Sequence, residues 1–482
     1  MIHFRPVFFV IGILLATLAV AMVLPALVDG AAGNPDWSVF AASAALSLFI
    51  GVSLVIGNWA PHFQIEVREV FLLTTLAWLI AAGAGALPMA FSALHLSFTD
   101  AYFEAMSGIT TTGSTVIVGL DAAPPGILLW RSLLQLFGGA GFVVTAIAVL
   151  PYLRVGGMQL FRVESSDRSG KAMPRVAEIA SGIIVIYLVL VAIDATALWF
   201  AGMGGFDAVC HAMTTLATGG FSTSDQSIGH FHSPAVEGIT TVFMLLGGMP
   251  FVLYLQLLQG RPRRLFRDSQ VRAFLGLYAT AVAALVFWQW LGGGETFPQA
   301  LRDVSFSVAS IMTTTGFTTV DYQTWGGFAV VTILFLTIVG ACTGSTAGGI
   351  KIFRLEILYA TAKAQFHRIV QPHGMFVMHY GGKAIPDPVA SSVMGFFFLF
   401  ALTFATLSLA LGAAGLDFLT SLSGVATAMA NVGPGLGAVI GPSGNFAGLP
   451  DSAKWFLSLG MLLGRLELYG VLVLLWPEFW RG

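Results

Sequence analysis

The sequence predicts an all-α integral membrane protein: four fused repeats of helix, re-entrant pore loop and helix around one pore, plus two extra N-terminal transmembrane helices. Composition indicates the membrane class, because the 482 residues are 56% hydrophobic and only 10% charged, whereas soluble domains carry roughly 25% charged residues. Repetition indicates the architecture. Apolar segments long enough to cross a bilayer core, which takes about 20 helical residues, alternate with three Thr- and Gly-rich stretches and a fourth, weaker relative that contains glycine but no threonine.

Two apolar segments, at about 6–28 and 38–57, come first and stand outside the repeats. The first lacks a clear small-residue cleavage site ahead of Asp29, which favours a retained helix over a signal peptide. Residues 1–69 are therefore interpreted as two N-terminal transmembrane helices.

From about residue 70 the chain passes four times through the same order of segments, which gives ten spanning helices and four re-entrant hairpins in all. The repeats are assigned to residues 70–160, 161–260, 261–375 and 376–482. Their segments are 70–95, 98–119 and 125–150; 176–201, 205–225 and 235–258; 271–293, 301–321 and 326–350; and 388–414, 416–438 and 453–476.

Each pore loop is predicted to begin with a short helix that has an aspartate as its N-cap. A helix of about nine residues descends roughly 13 Å, and extended chain at about 3.3 Å per residue then returns quickly. The aspartates precede a glycine by the same interval in three repeats and by a longer one in the fourth: Asp100 and Gly113, Asp207 and Gly220, Asp303 and Gly316, and Asp417 and Gly433. Non-helical backbone at membrane depth must face protein or a watery cavity, so the four loops are predicted to converge on one axis.

The Thr- and Gly-rich stretches have the composition that an ion filter requires. A dehydrated cation needs oxygen ligands from several directions, and four loops with inward carbonyls supply rings of four. Glycine keeps side chains out of the path, and each pore helix points about −0.5 of an elementary charge inward. The alternative, ordinary packing or turn residues, is disfavoured by four copies at matching positions, which are 110–115, 217–223, 311–321 and 430–435.

Charge distribution predicts the orientation. Basic residues cluster between repeats, which makes those loops and both termini cytoplasmic, and the acidic opposite ends would form a vestibule that concentrates cations. The basic residues are Arg154, Arg162, Arg168, Lys171 and Arg175; Arg261, Arg263, Arg264, Arg267 and Arg272; and Lys351, Arg354, Lys363 and Arg368. The acidic residues are Asp29, Asp36, Asp100, Asp121, Asp207, Asp225, Asp303, Asp321, Asp417 and Asp451, with Arg131, Arg302 and Lys454 among them.

The chain resembles the Trk/Ktr/HKT superfamily of potassium transporters over its whole length, and most closely the bacterial Trk-type pore-forming subunit. Members resemble four fused potassium-channel subunits with one key glycine per filter loop. The fourth loop, 431–435, departs most from the channel pattern. Glycine in the first loop, where some plant relatives have serine and favour sodium, implies a K+ ion in the pore. The residues that would hold it are Thr111, Thr112, Gly113, Thr218, Gly219, Gly220, Thr314, Thr315, Gly316, Asn431, Val432 and Gly433.

A glycine-rich stretch, 340–349, interrupts the second helix of the third repeat and precedes Lys351. Each glycine costs a helix about 1 kcal/mol relative to alanine. Close helix packing through small residues is the alternative. The resemblance implies instead an intramembrane gate loop below the filter, whose residues are Gly344, Ser345, Gly348, Gly349 and Lys351.

Arg465 lies well inside the last apolar segment. A charged residue at that depth is costly and usually faces a pore or a partner. A structural ion pair, with Glu467 as the nearest acid, is one interpretation. The resemblance implies the other, an arginine that faces the pore and hinders passage.

The resemblance implies a potassium uptake subunit, a homodimer with one pore per subunit, and a nucleotide-binding cytoplasmic ring of the TrkA type in the bacterial inner membrane. The chain has no nucleotide-binding or hydrolytic motif, so we expect no enzyme activity, no organic cofactor and no nucleic-acid partner. Two alternatives stay open: a sodium or mixed-cation conductor of the same fold, and a broken-helix secondary transporter. A polytopic membrane enzyme is disfavoured, because it would need His or acidic residues clustered at one depth and the sequence does not show them. Whether transport is channel-like or coupled to protons or sodium is also open.

Overall fold

A computed structural model describes residues 3–60, 66–148, 156–158, 172–292, 294 and 296–481. Within these ranges the chain is helical apart from loops and one small hairpin, in which His379–Tyr380 pairs antiparallel with Lys383–Ala384. The predicted all-α membrane fold is confirmed. The hairpin lies at the start of repeat 4, just before its first helix.

The two N-terminal helices cross at very short range. The first comprises Phe4–Ala21 and Val23–Ala31, which together form one apolar span, and the second is Trp37–Gly57. A Cβ atom on Gly12 would lie 2.7 Å from the carbonyl oxygen of Gly51. Glycine at the crossing therefore allows the backbones to touch, as small residues do between membrane helices.

The first helix of every repeat is long and apolar enough to cross a membrane. Their ends fall within a few residues of the predicted ones, because a bilayer span requires a length of apolar chain that is read directly from the sequence. They are Val67–Phe91, Ala172–Phe200, Ser269–Gly292 and Asp387–Ala413.

Four pore helices follow the first helices: Phe98–Ile109, Gly205–Leu216, Phe297–Met312 and Phe418–Ala430. Aspartate is the N-cap only in the fourth, where the Asp417 carboxylate accepts hydrogen bonds from two backbone N–H groups. The prediction is wrong for the other three, which are capped by Ser97, Gly204 and Thr296.

The three misassigned aspartates still lie within their pore helices. Asp100 and Asp207 occupy the first turn, where a carboxylate meets the positive end of the helix dipole. Asp303 lies deeper because its helix begins early, with Pro298 in the first turn, a position that suits proline.

The second helices differ most from prediction. Only that of the first repeat, Pro125–Ala148, is continuous. In the second repeat Pro234–Gly247 and Phe251–Leu258 are bent by 94°, and in the fourth Asp451–Arg465 and Tyr469–Leu475 are bent by 105°. The predicted continuous helices 235–258 and 453–476 are therefore wrong.

In the third repeat the second helix, Gly327–Ile338, ends before the glycine-rich stretch, and a new helix, Ile352–Val370, begins after it. The described chain thus has seven spans by length and composition, or up to nine if each bent pair is one span, against ten predicted. Short helical segments complete the chain: Leu120–Ala122, Ser227–Phe231, Arg263–Arg267, Tyr322–Trp325, Val473–Leu475 and Pro477–Trp480.

Buried apolar side chains form two large clusters. One mainly joins the N-terminal helices to repeats 1 and 4, with Met22, Trp130 and Leu457 among its members. The other mainly joins repeats 2 and 3, with Phe274 and Ile311. The repeats are therefore packed into one body around the pore helices.

The orientation prediction depends in part on residues that the structure does not describe. Arg154, Arg162, Arg168 and Lys171 lie outside the described residues, as does the side chain of Arg175. The orientation stays a prediction.

Candidate functional site

The four pore loops share one backbone conformation. Each has a left-handed residue one or two positions after the end of its pore helix and a left-handed glycine two positions later. The φ angles are 52° and 87° at Thr111 and Gly113, 51° and 76° at Thr218 and Gly220, 58° and 83° at Thr314 and Gly316, and 57° and 111° at Asn431 and Gly433. The fourth loop therefore has the same register as the others, despite its longer distance from the aspartate.

The residue before each key glycine is anchored to its own pore helix. Its backbone N–H donates to the carbonyl five residues earlier in every repeat. These bonds run from Thr112 to Ser107 at 2.8 Å, Gly219 to Thr214 at 2.9 Å, Thr315 to Ser310 at 2.9 Å, and Val432 to Thr427 at 3.0 Å. Because this N–H group points to the pore helix in every repeat, each loop is held to its helix at the residue before the key glycine.

The key glycines meet the neighbouring loops in cyclic order. In every case the nearest backbone atom is the carbonyl oxygen of the residue before the next glycine. A Cβ atom would lie 2.2 Å from that oxygen of Gly219 if added at Gly113, 1.9 Å from that of Thr315 at Gly220, 1.8 Å from that of Val432 at Gly316, and 3.0 Å from that of Thr112 at Gly433. The four loops thus close into a ring of equivalent carbonyls, which we call the carbonyl ring.

Side chains connect the first and fourth loops across the ring. The Ser114 hydroxyl donates to the Gly433 carbonyl at 2.8 Å, and the Asn431 amide donates to the Thr112 hydroxyl at 3.0 Å. Asn431 also donates to the Met461 carbonyl at 2.9 Å. Asparagine in place of threonine therefore ties the most divergent loop to its neighbour.

A cavity of about 210 Å³ opens beside the ring and is lined by all four key glycines. Asp225 and Arg131 also line it. The Asp225 carboxylate accepts hydrogen bonds from the N–H groups of Gly119 and Leu120, at 2.9 and 3.0 Å. This cavity is the mouth of the ring on the side where the pore helices begin.

Many aspartates at this end of the molecule are engaged in structure. Asp100 pairs with Lys454 at 2.5 Å, Asp207 accepts from the Thr223 hydroxyl at 2.7 Å, and Asp303 pairs with Arg302 at 3.2 Å. Asp121 is exposed, and the Ser224 hydroxyl is the main cause that lowers its pKa. Of the predicted vestibule aspartates, Asp225 lines the mouth of the ring, and the vestibule itself stays a prediction.

The glycine-rich stretch 340–349 is not helical and is almost wholly buried, so the helix-packing alternative is wrong. It lies directly against the pore loops. The Gly348 N–H donates to the Thr314 hydroxyl at 2.7 Å, and the Thr346 hydroxyl donates to the Leu216 carbonyl at 2.8 Å. A Cβ atom on Gly348 would lie 2.3 Å from the Ala430 carbonyl oxygen. The stretch therefore contacts the pore regions of repeats 2, 3 and 4.

The bend in repeat 2 holds this stretch in place. The Phe251 N–H donates to the Gly344 carbonyl at 2.9 Å, and the Cys342 N–H donates to the Gly248 carbonyl at 3.1 Å. Pro250 follows the break and has no N–H. The broken helix thus exposes backbone groups that bind the stretch.

The other predicted gate residues stabilise the fold of the stretch itself. The Ser345 hydroxyl donates to the Cys342 carbonyl at 2.6 Å. Gly349, with φ at 64°, packs on Gly340. The Lys351 ammonium donates to the Ala347 carbonyl and lies 5.0 Å from the Phe142 ring centroid.

Arg465 is fully buried at the end of its helix and faces the same stretch. Its guanidinium donates to the Thr346 carbonyl at 2.9 Å and to the Gly138 carbonyl at 3.3 Å. Its carbon Cζ lies 4.0 Å from the Phe142 ring centroid. Glu467 pairs instead with Arg354, so the interpretation of Arg465 and Glu467 as an ion pair is wrong.

Sequence reasoning missed two buried ion pairs, Arg354 with Glu467 and Arg131 with Glu104, and the buried amide of Gln135. The sequence did carry a signal for the ion pairs, because an ionisable residue at membrane depth indicates a partner. The partners could not be chosen from the sequence, since each pair joins segments that are far apart in the chain or belong to different elements.

Among the described residues no group of three or more His, Cys, Asp or Glu could hold a metal ion. The site consists instead of backbone carbonyls, hydroxyls and amides. Such groups bind alkali cations.

Comparison with known proteins gives one family. The family model TrkH, described as a cation transport protein, matches residues 37–480. The Trk system potassium uptake protein TrkI of Halomonas elongata is 45% identical over 99% of this chain and 97% of its own length. The Trk system potassium uptake protein TrkH of Escherichia coli K12 is 39% identical over 99% of this chain and all of its own. The crystal structure of the potassium transporter TrkH from Vibrio parahaemolyticus matches with a TM-score of 0.92 and 37% identity, covering both chains completely.

Proposed function

Because this chain belongs to the TrkH family of cation transport proteins, we propose that it is a potassium uptake protein that conducts K+ through the carbonyl ring. Two relatives, which match this chain over 97% and 100% of their own lengths, are named as potassium uptake proteins. Membrane transport, and not enzyme chemistry, is the activity.

The cyclic contact of four glycines with four carbonyls is the observation that supports the ring as the filter. K+ loses water when it enters a narrow pore, and rings of backbone carbonyls replace that water. Pore helices that end at the ring add the negative ends of their dipoles. The proposed ligands are the carbonyls of Thr112, Gly219, Thr315 and Val432, with neighbouring carbonyls in each loop.

We propose that the stretch 340–349 and Arg465 form the gate. The stretch fills the space below the ring, and the guanidinium adds a positive charge there. A cation that leaves the ring would meet both. This arrangement corresponds to a closed pore, which opens when the stretch moves away from Thr314.

Sodium or mixed-cation conduction on the same fold is the second candidate for the ion. Glycine in all four key positions favours potassium, since a serine would place a side chain in the ring. The broken-helix transporter is disfavoured because the bend in repeat 2 is used to hold the stretch 340–349.

The relatives are named as members of a Trk system, which suggests further components. For this chain we propose a homodimer with one pore per subunit and a cytoplasmic nucleotide-binding ring of the TrkA type. We place it in the bacterial inner membrane with both termini in the cytoplasm. The exposed basic helix Arg263–Arg267 would then face the nucleotide-binding ring in the cytoplasm.

Rubidium tracer uptake into liposomes that hold this protein alone tests the proposal. Potassium in the medium should compete with rubidium, and sodium should not. Equal competition by sodium would replace the proposal with a mixed conductor. If the closed gate prevents uptake, the Arg465→Ala variant provides the same comparison, and an absence of uptake there too would refute conduction by this chain.

A further inference from the structure

The second pore loop differs from the others at the position before the key glycine. That position is Thr112, Thr315 and Val432 in repeats 1, 3 and 4, but Gly219 in repeat 2. The φ angle of Gly219 lies outside the left-handed region, so backbone conformation does not require glycine there. Space does: a Cβ atom would lie 2.3 Å from Cδ and 2.4 Å from Oε1 of Gln135.

The Gln135 side chain therefore occupies the volume that a side chain of the loop fills elsewhere. It comes from the second helix of repeat 1 and is fully buried. Its amide nitrogen donates to the Gly219 carbonyl at 2.6 Å, and its oxygen accepts from the Phe221 N–H at 3.1 Å. One amide thus holds both flanks of Gly220.

Arg131, one helical turn earlier, holds the next residue of the same loop. Its guanidinium donates to the Ser222 carbonyl at 2.8 Å and lies 4.0 Å from the Phe221 ring centroid. Residues four apart share one helix face. The helix of repeat 1 therefore presents two side chains to the pore loop of repeat 2.

A buried ion pair fixes Arg131 to the first pore helix. Its Nε lies 2.8 Å from Oε1 of Glu104, and Glu104 also accepts from the Val116 N–H at 2.8 Å. Both charges are almost wholly buried. The ion pair links the pore helix of repeat 1, its second helix and the loop of repeat 2.

We propose that Gln135 is a positioning residue for ion selectivity, which sets the orientation of the Gly219 carbonyl in the carbonyl ring, with the Arg131 and Glu104 pair as its anchor. A carbonyl oxygen has two lone pairs, so Gly219 can accept from Gln135 and still face an ion. Its share of negative charge toward the ion is then lower than that of the other three carbonyls. This inference rests on the proposed function and concerns the same ring.

The first test replaces Gln135 by methionine, which is similar in length but neither donates nor accepts strongly. The ratio of potassium to sodium competition against rubidium uptake should fall on the order of tenfold, which corresponds to about 1.4 kcal/mol. Thr337→Val is the matched control, because the Thr337 hydroxyl is also buried but donates to the Ile333 carbonyl of its own helix. An unchanged ratio in Gln135→Met would overturn the inference. Wild-type protein without selectivity would refute the proposed function instead.

The second test removes the Gln135 side chain and places a side chain at Gly219 instead. Gly219→Thr alone collides with Gln135 and should abolish selective uptake, whereas Gln135→Ala combined with Gly219→Thr restores the side chain found in repeats 1 and 3. The double variant should be more selective than the single one, although each change alone is harmful. A double variant no better than Gly219→Thr would contradict the steric premise of the inference, that Gln135 occupies the volume of a loop side chain. Monodisperse elution in detergent establishes that each variant is folded.

Discussion

At the scale of single residues, the key glycines are constrained by both backbone conformation and space. Gly113 and Gly316 have φ angles of 87° and 83°, and an added Cβ would lie 2.2 and 1.8 Å from a neighbouring carbonyl oxygen. Gly113→Ser or Gly316→Ser should distort the ring at that carbonyl, because the added atoms collide with backbone and not with the end of a flexible side chain that could turn aside. We expect lower discrimination between potassium and sodium, measured by competition against rubidium uptake.

Gly412→Ala is the control for these substitutions. Gly412 lies in the first helix of repeat 4, with no atom within 4 Å of an added Cβ. It should leave selectivity as it is. Serine variants that keep wild-type selectivity would count against the assignment of the ring as the filter.

The Arg354 and Glu467 pair should matter for stability. It joins the helix after the stretch 340–349 to the break in the last helix, where Glu467 and Leu468 have φ angles of 60° and 58°. Removal of one partner from a buried ion pair costs about 3–5 kcal/mol, because the other charge stays buried. Glu467→Gln should therefore lower the thermal unfolding temperature more than the double change Arg354→Met with Glu467→Leu. A single variant as stable as wild type would contradict this.

At the scale of elements, the stretch 340–349 is a non-helical segment held between the ring and a bent helix. Arg465→Ala, or deletion of several of residues 343–348, should raise passive rubidium flux, since each removes part of what fills the space below the ring. Arg465→Lys, which keeps the charge, should change flux less than Arg465→Ala. The gate proposal fails if neither the alanine variant nor the deletion alters flux.

The fourth pore helix depends on its cap. The hydroxyl and backbone N–H of Thr420 hold the pKa of Asp417 below its ordinary value of 3.8. Because the pKa of Asp417 is lower in the folded protein than in the unfolded one, the ionised carboxylate stabilises the folded protein at pH values above the unfolded pKa. This contribution is lost as the pH falls through the pKa of the folded protein. Asp417→Ala should lower stability by on the order of 1 kcal/mol at neutral pH. The difference in unfolding temperature between the wild type and Asp417→Ala should shrink in acid, where Asp417 is protonated. A difference that stays constant with pH would refute the cap assignment.

The sequence predicted the elements unequally, for physical reasons. The first helices follow from local apolar length, and their predicted ends lie close to those observed. The pore helices were predicted from the interval between aspartate and glycine, which misplaced the N-cap in three of them. The bends at Gly248 to Pro250 and at Leu466 to Leu468 were missed, because their freed backbone or charged groups are satisfied by residues far away in the sequence, such as Gly344 and Arg354. The role of Gln135 was missed for the same reason, since its partner Gly219 belongs to another repeat.

At the scale of the whole molecule, four unequal repeats form one ring with approximate fourfold geometry. Equal φ patterns and equal anchoring bonds recur in every loop. The differences are local: Asn431 replaces a threonine in the fourth loop, Gly219 makes room for Gln135 in the second, and the stretch 340–349 belongs to the third alone.

We propose a K+ site at the centre of the carbonyl ring, and anomalous diffraction from crystals grown in rubidium would locate it. We predict an anomalous peak on the axis, surrounded by the carbonyl oxygens of Thr112, Gly219, Thr315 and Val432, that disappears when sodium replaces rubidium. An empty ring in rubidium, or a peak that lies away from these four oxygens, would refute a K+ site in the carbonyl ring.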